Sequence, residues 1–266
     1  MTTDKIYDIS IPLKFGGEQP NAYGVPAASS TPCESGELVG DTRRGGSCNF
    51  ESYTFIPHCN GTHTECVGHI TNERISVRDC LQDILIPAVL VSVSPTSPTN
   101  SSLLPSPTNF SLLHKDDQVI NSELLENALR STNLSLSDKA LVIRTLPNDD
   151  SKLTRKYGDH IPPYFTTDAM EFIVENGVKH LLVDLPSIDR IYDDGKLANH
   201  RIFWNVEPEK FETNAATRTN ATITELIYVP NNIDDGDYTL NLQIAPFQTD
   251  AAPSRPILLK HAVKFS

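Results

Sequence analysis

With 266 residues, 38% of them hydrophobic and 21% charged, the chain carries enough apolar material for one sizeable core, but no apolar run approaching the roughly 18 residues of a membrane span. Thirty-four acidic residues against twenty-two basic ones leave a formal charge of −12, which repels phosphate backbones and anionic lipid and so argues against nucleic acid and membrane as partners. Five cysteines, odd in number and without a basic-then-apolar leader before them, point to reduced thiols and a cytoplasmic location.

Alternation in Ile6 to Ile11 predicts an opening strand, and Tyr53 to Ile56 a second one that leads into a histidine-rich turn. Ala88 to Val93 is apolar and β-branched, as a buried strand should be. Residues 94–110 follow, with Pro95, Pro98, Pro105 and Pro107 among Ser, Thr and Asn; this reads as a surface loop, because Pro cannot donate to a ladder and the rest is too polar to bury. Leu124, Leu125, Ala128 and Leu129 are spaced for an amphipathic helix over Ser122 to Leu129, and Ala140 to Thr145 returns as a strand.

Thr166 or Thr167 can cap a further helix with Ala169, Phe172 and Ile173 on one face and Gly177 as its stop, before a strand over Lys179 to Asp184. Helix-then-strand alternation of this kind fits an α/β fold. Beyond Thr222 the pattern is mostly strand: Thr222 to Val229, a turn at Asp235-Gly236, Tyr238 to Ala245, and Ile257 to Val263. Residues 1–266 are read as a single domain, because the chemistry-bearing segments lie on both sides of the 94–110 loop.

Those segments begin at Pro57-His58-Cys59-Asn60-Gly61-Thr62-His63-Thr64-Glu65-Cys66-Val67-Gly68-His69, where imidazoles, a carboxylate and two thiols crowd together. His63 and Glu65 are two apart and point the same way only in an extended backbone, with Gly61 permitting a tight approach. His69 can face the same space. Two imidazoles and a carboxylate are the ligands of a hydrolytic Zn²⁺ or Mn²⁺ centre, which keeps a position open for water and makes that water more acidic. Cys59, His63, Cys66 and His69 also resemble a Cys₂His₂ set, which would be a closed structural zinc site without chemistry.

The segment from Cys59 to His69 resembles the His-x-Gly-Thr-His-x-Asp-x-Pro-x-His pattern of the cyclase superfamily, which includes bacterial kynurenine formamidases and isatin hydrolases. Gly61, Thr62, His63 and His69 match it; Cys59 stands in place of the first His, Glu65 in place of Asp and Val67 in place of Pro. Further blocks are similar to the same family: Tyr7-Asp8-Ile9-Ser10, Asp184-Leu185-Pro186-Ser187-Ile188-Asp189, His200 with the apolar residues after it, Glu225-Leu226, and Pro253-Ser254-Arg255-Pro256.

The resemblance implies a mixed, partly barrel-like sheet with flanking helices, of the swivelling β/β/α type. It implies one or two divalent ions, Zn²⁺ or Mn²⁺, on His58, His63, Glu65, His200 and Glu225, with Cys59 as the alternative to His58. His69 is implied as the catalytic residue, relaying a proton to the departing amine when a bound hydroxide attacks a small amide, formamide or cyclic amide. A homodimer or homotetramer is implied too. Residues 207–220 exceed the family's spacing between His200 and Glu225 and are expected to form a loop near the mouth of the site. Asp184, Ser187 and Asp189 are assigned structural roles at a strand end, since no Gly-x-Ser-x-Gly elbow activates the serine.

Overall fold

The computed structural model describes residues 5–98, 116–130, 136, 139–158 and 160–260. Nine strands among them form one sheet: β1 (Lys5–Asp8), β2 (His63–Glu65), β3 (Leu85–Val93), β4 (Ala140–Thr145), β5 (His180–Val183), β6 (Thr222–Glu225), β7 (Gly236–Asn241), β8 (Ala251–Pro253) and β9 (Ile257–Lys260). Their order is β1-β9-β7-β3-β4-β5-β6-β2-β8. The four central strands, β3 to β6, run parallel, and antiparallel strands extend the sheet on either side.

Three of the central strands, β3, β4 and β5, are buried on both faces through most of their length, which is why they read as apolar runs. Val89, Val91, Leu141, Ile143, Leu181 and Val183 face the helices α2 (Ser122–Arg130), α3 (Thr167–Glu175) and α4 (Ala198–Trp204), meeting Leu125, Met170, Ile173, Phe203 and Trp204. The alternate residues Leu90, Val142 and Leu182 pack on the other face against Tyr238, Leu240 and Leu258. Each fully buried Leu or Val of this kind contributes about 1.5–3 kcal/mol.

The sheet curls into a half barrel. The curl is visible in where the chain goes after β1, which lies at one edge. Ile9 accepts a hydrogen bond from the Tyr228 amide, just past β6, and the Ile11 amide donates to Thr62 Oγ1 beside β2. Both belong to the far side of the sheet, so the N-terminal segment bridges its two halves.

Most expected elements are present. The strand at Ala140–Thr145 and the helices at Ser122–Arg130 and Thr167–Glu175 stand where the periodicity put them. The strand expected to run to Val229 stops at Glu225 instead, because Leu226 adopts a left-handed φ of 54° and turns the chain away. The strand before the histidines, Glu51–Thr54, pairs with Ser29–Pro32 in a separate two-stranded ribbon. From residue 99 onward the 94–110 loop lies outside the described residues, as does the end of the last expected strand beyond Lys260. Among the described residues no helix is long and apolar enough to cross a membrane.

Candidate metal centre

The site forms where β2, β6, β8 and α4 meet. A single helical turn, α1 (Pro57–Asn60), precedes β2. Pro57 opens this turn, where its missing N–H costs nothing, and Asn60 Oδ1 accepts the Ile56 amide at 2.7 Å. Helical rather than extended geometry across Pro57 to Asn60 brings His58 to Glu65, with no bulge needed. Gly61 is extended, and a Cβ there would make only ordinary contact with Leu13, so the aim of His63 and Glu65 comes from the strand and not from the glycine. Gly68 is the glycine that space requires, since a Cβ would collide with the Ile75 carbonyl just before His69.

His63 and Glu65 share one face of β2, while Thr64 between them bonds Thr224 on the other. The antiparallel register sets Glu225 directly opposite His63. His200, in the first turn of α4, completes the group. Glu65 is the hub: its Oε1 lies 3.1 Å from His200 Nε2, and its Oε2 lies 2.9 Å from His58 Nδ1 and 4.0 Å from His69 Nε2. Glu225 lies 3.6 Å from His63 Nε2 and 3.8 Å from His200 Nε2, and its Oε1 also accepts the Ile188 amide. Two sets of potential donors therefore overlap at Glu65: His58, Glu65 and His69, and His63, Glu65 and Glu225.

The imidazoles are oriented from behind. His63 Nδ1 donates to the Gly61 carbonyl at 3.0 Å, since a carbonyl can only accept, and this leaves Nε2 facing Glu225. His200 Nδ1 donates to Asp189 Oδ2 at 2.6 Å, and His58 Nε2 to Asp250 Oδ2 at 2.9 Å. In each ring one nitrogen is tied outward to an oxygen acceptor and the other points at the carboxylates, the arrangement that fixes the tautomer of metal-binding histidines. Burial opposes charge on His58, yet Asp250 and Glu65 lift its imidazole to about 10; burial opposes charge on His200 as well, and Asp189 and Glu65 hold it well above its usual value. Burial would raise Glu65, but His69, His200 and His58 keep its carboxyl low. The cluster draws in positive charge, which protons on imidazole or a divalent cation can supply.

The donor set fits such a cation. His63 Nε2 is buried without a hydrogen-bond partner among the described residues, and so is Glu65 Oε2, whose 2.9 Å approach to His58 Nδ1 lacks hydrogen-bond geometry. Leaving such atoms unmatched costs about 1–3 kcal/mol each. A lone pair and a carboxylate oxygen turned toward the same space are complementary to an ion and not to each other.

Two contributors escaped the sequence reading. Asp189, assigned a structural role, does cap the amides of Asn199 and His200, at 2.8 and 3.2 Å, but it also holds the His200 ring. Asp250 carried no motif signal at all. It reaches His58, and His69 Nδ1 at 3.4 Å, because β8 pairs with β2 and sets Ala251 opposite Glu65. Asp184 is structural, paired in the core with Lys152 at 2.8 Å.

The cysteines do not assemble. Cys59 lines the cavity beside His58, where burial and Glu225 push its thiol up to about 11, while Cys66 turns away to pack on Val77, Cys80 and Ala252. A Cys₂His₂ clamp is therefore not formed. A cavity of about 550 Å³ opens above Glu65, walled by Tyr23, Ile191 and Tyr192 to Gly195. Residues 207–220 do not line it; they lie against the segment after His69, where the Phe211 carbonyl accepts the Asn72 amide and the Thr213 amide donates to Glu73.

Residues 7–190 match the family model described as "Putative cyclase". The chain is 25% identical over 264 residues to a kynurenine formamidase of Bacillus anthracis, covering 97% of this chain and 99% of that protein. Isatin hydrolase A from Labrenzia aggregata superposes with a TM-score of 0.63 at 13% identity, over 97% of this chain and 94% of that one. Isatin hydrolase A from Ralstonia solanacearum gives the same TM-score and identity, over 97% and 92%.

Proposed function

Since the chain belongs to the cyclase family, we propose that it is a metal-dependent hydrolase that cleaves the C–N bond of a small amide, formamide or cyclic amide. The observation that supports this most is the arrangement of His58, His63 and His200, each anchored by one ring nitrogen and aimed by the other at Glu65 or Glu225. These five side chains would hold one or two divalent ions, Zn²⁺ or Mn²⁺. His58 takes the place of Cys59 as the remaining ligand, because the α1 turn brings the imidazole and not the thiol to Glu65. A divalent ion so held supplies Lewis-acid polarisation of a carbonyl and a more acidic water.

His69 is assigned the proton transfer. It stands at the cavity wall, partly exposed, with Nδ1 facing Asp250 and its ring stacked on His58 at 4.2 Å. Asp250 fixes the ring so that Nε2 turns inward, where it can pass a proton to the departing nitrogen. Ile191 and Leu197 supply apolar lining to the same cavity. The same reading takes the chain as one cytoplasmic hydrolase unit, a homodimer or homotetramer.

The test is hydrolysis of N-formylkynurenine, isatin and simple lactams by the metal-loaded and the chelated protein. Loss of turnover on chelation and recovery on adding Zn²⁺ or Mn²⁺ are expected; activity surviving complete metal removal contradicts the reading. His69→Ala should retain the metal and lose about 10²-fold or more in kcat. Loss of the metal with the activity would make His69 a ligand instead.

A further inference from the structure

We propose that the cavity selects aryl amides that carry no negative charge: a neutral or cationic aryl group lies against Tyr23 and Tyr192, while Asp193 and Asp194 repel a substrate carboxylate. The selection rests on the hydrolase reading for the reaction performed, but on different residues for the choice of substrate.

The aromatic part follows from the cavity mouth. Tyr23 and Tyr192 meet edge to face with centroids 6.3 Å apart, and the two residues remain 42% and 50% exposed. Such a paired, open aromatic surface beside a reaction centre gains by being covered with another ring. Tyr23 is held in place by a left-handed φ of 59° and by its hydroxyl against Ser187.

The charge part follows from the loop that carries Tyr192. Asp193 accepts the amides of Gly195 at 2.9 Å and Leu197 at 2.6 Å, which fixes its carboxylate in the wall. Asp194 stands next to it with a left-handed φ of 58°, exposed and also lining the cavity. A divalent ion would offset Glu65 and Glu225 on the floor, leaving the two aspartates as uncompensated charge. Among the described residues lining the cavity there is no Lys or Arg. Lys196 lies outside the wall, and Arg190 is engaged by Asp117 at 2.9 Å and the Tyr192 carbonyl at 2.7 Å. A substrate carboxylate at the mouth would thus meet like charge with no Lys or Arg to receive it, in a cleft where screening is weaker than in bulk water.

The experiment compares formanilide, 4-formamidobenzoate and 4-formamidobenzylammonium as substrates of the metal-loaded protein. The three matching phenylureas, as slow-reacting analogues, report binding alone. Formanilide and the ammonium compound should exceed the benzoate by at least about fivefold in kcat/KM at low salt, with the gap closing toward about 0.5 M salt. Asp194→Asn, a residue that tolerates the left-handed conformation, should narrow the gap by raising the benzoate. Equal or better use of the benzoate, or a gap unchanged in Asp194→Asn, overturns the proposal. If no formamide is hydrolysed but the ureas bind in the stated order, the hydrolase reading fails while the charge selection stands. If none of the ureas binds, the selection is refuted.

Discussion

Asp189 binds His200 twice, through the backbone amide and through Nδ1 at 2.6 Å, so a single carboxylate both starts α4 and sets the direction of a ring inside the site. In Asp189→Asn the cap survives in part, but the ring loses its charged partner. Metal affinity is expected to fall about 10- to 100-fold while the apo protein loses only about 1 kcal/mol of stability. Metal titration beside thermal unfolding of the apo form checks this, and an unchanged affinity would show that His200 needs no such support. At this scale the sequence was informative where donors are close together: His63 and Glu65 two apart on a strand could be read directly. His58 could be read only as a residue one place out of register, because a helical turn is invisible in four residues. Asp250 was illegible, since what brings it to His58 is a cross-strand pairing between residues far apart in the chain.

Elements buried on both faces announced themselves, as β3, β4 and β5 did through their β-branched runs, whereas the end of β6 depended on one left-handed residue, Leu226, that no propensity marks. The β5–β6 pair contains a further buried imidazole, His180, away from the metal centre. His180 sits opposite Thr222, bonding Thr222 Oγ1 at 2.8 Å, with Asp83 at 3.1 Å from its other nitrogen. Burial lowers its pKa below 6.5 despite Asp83, which pulls the other way. The unfolded chain therefore takes up the proton first on acidification. His180 contributes most to stability above about pH 6.5, and this contribution is lost as the pH falls below that value. Thermal stability between about pH 7.5 and about pH 5.5, roughly one unit either side of the ordinary value, should decline more steeply for the native chain than for His180→Gln. Parallel declines would mean that the folded and unfolded imidazoles titrate alike.

Across the whole molecule, the residues that form the site come from α1, β2, α4, β6 and the start of β8, and they meet because β6, β2 and β8 are neighbours in the sheet and His200 of α4 reaches Glu65 from above them. Family resemblance supplied the partly barrel-like sheet, and the structure has it; hydrophobic periodicity alone supplied an α/β alternation without its curvature. The excess of acidic residues, leaving −12, speaks against phosphate backbones, and at the cavity Asp193 and Asp194 stand in the same wall as the carboxylates of Glu65 and Glu225. Long-range convergence on one cation is tested most directly by X-ray absorption at the metal edge of the zinc-reconstituted protein. Nitrogen and oxygen neighbours at about 2.0–2.2 Å, without sulfur, are expected from imidazole and carboxylate donors with water among them. A sulfur shell near about 2.3 Å, or failure to take up zinc at all, would contradict it.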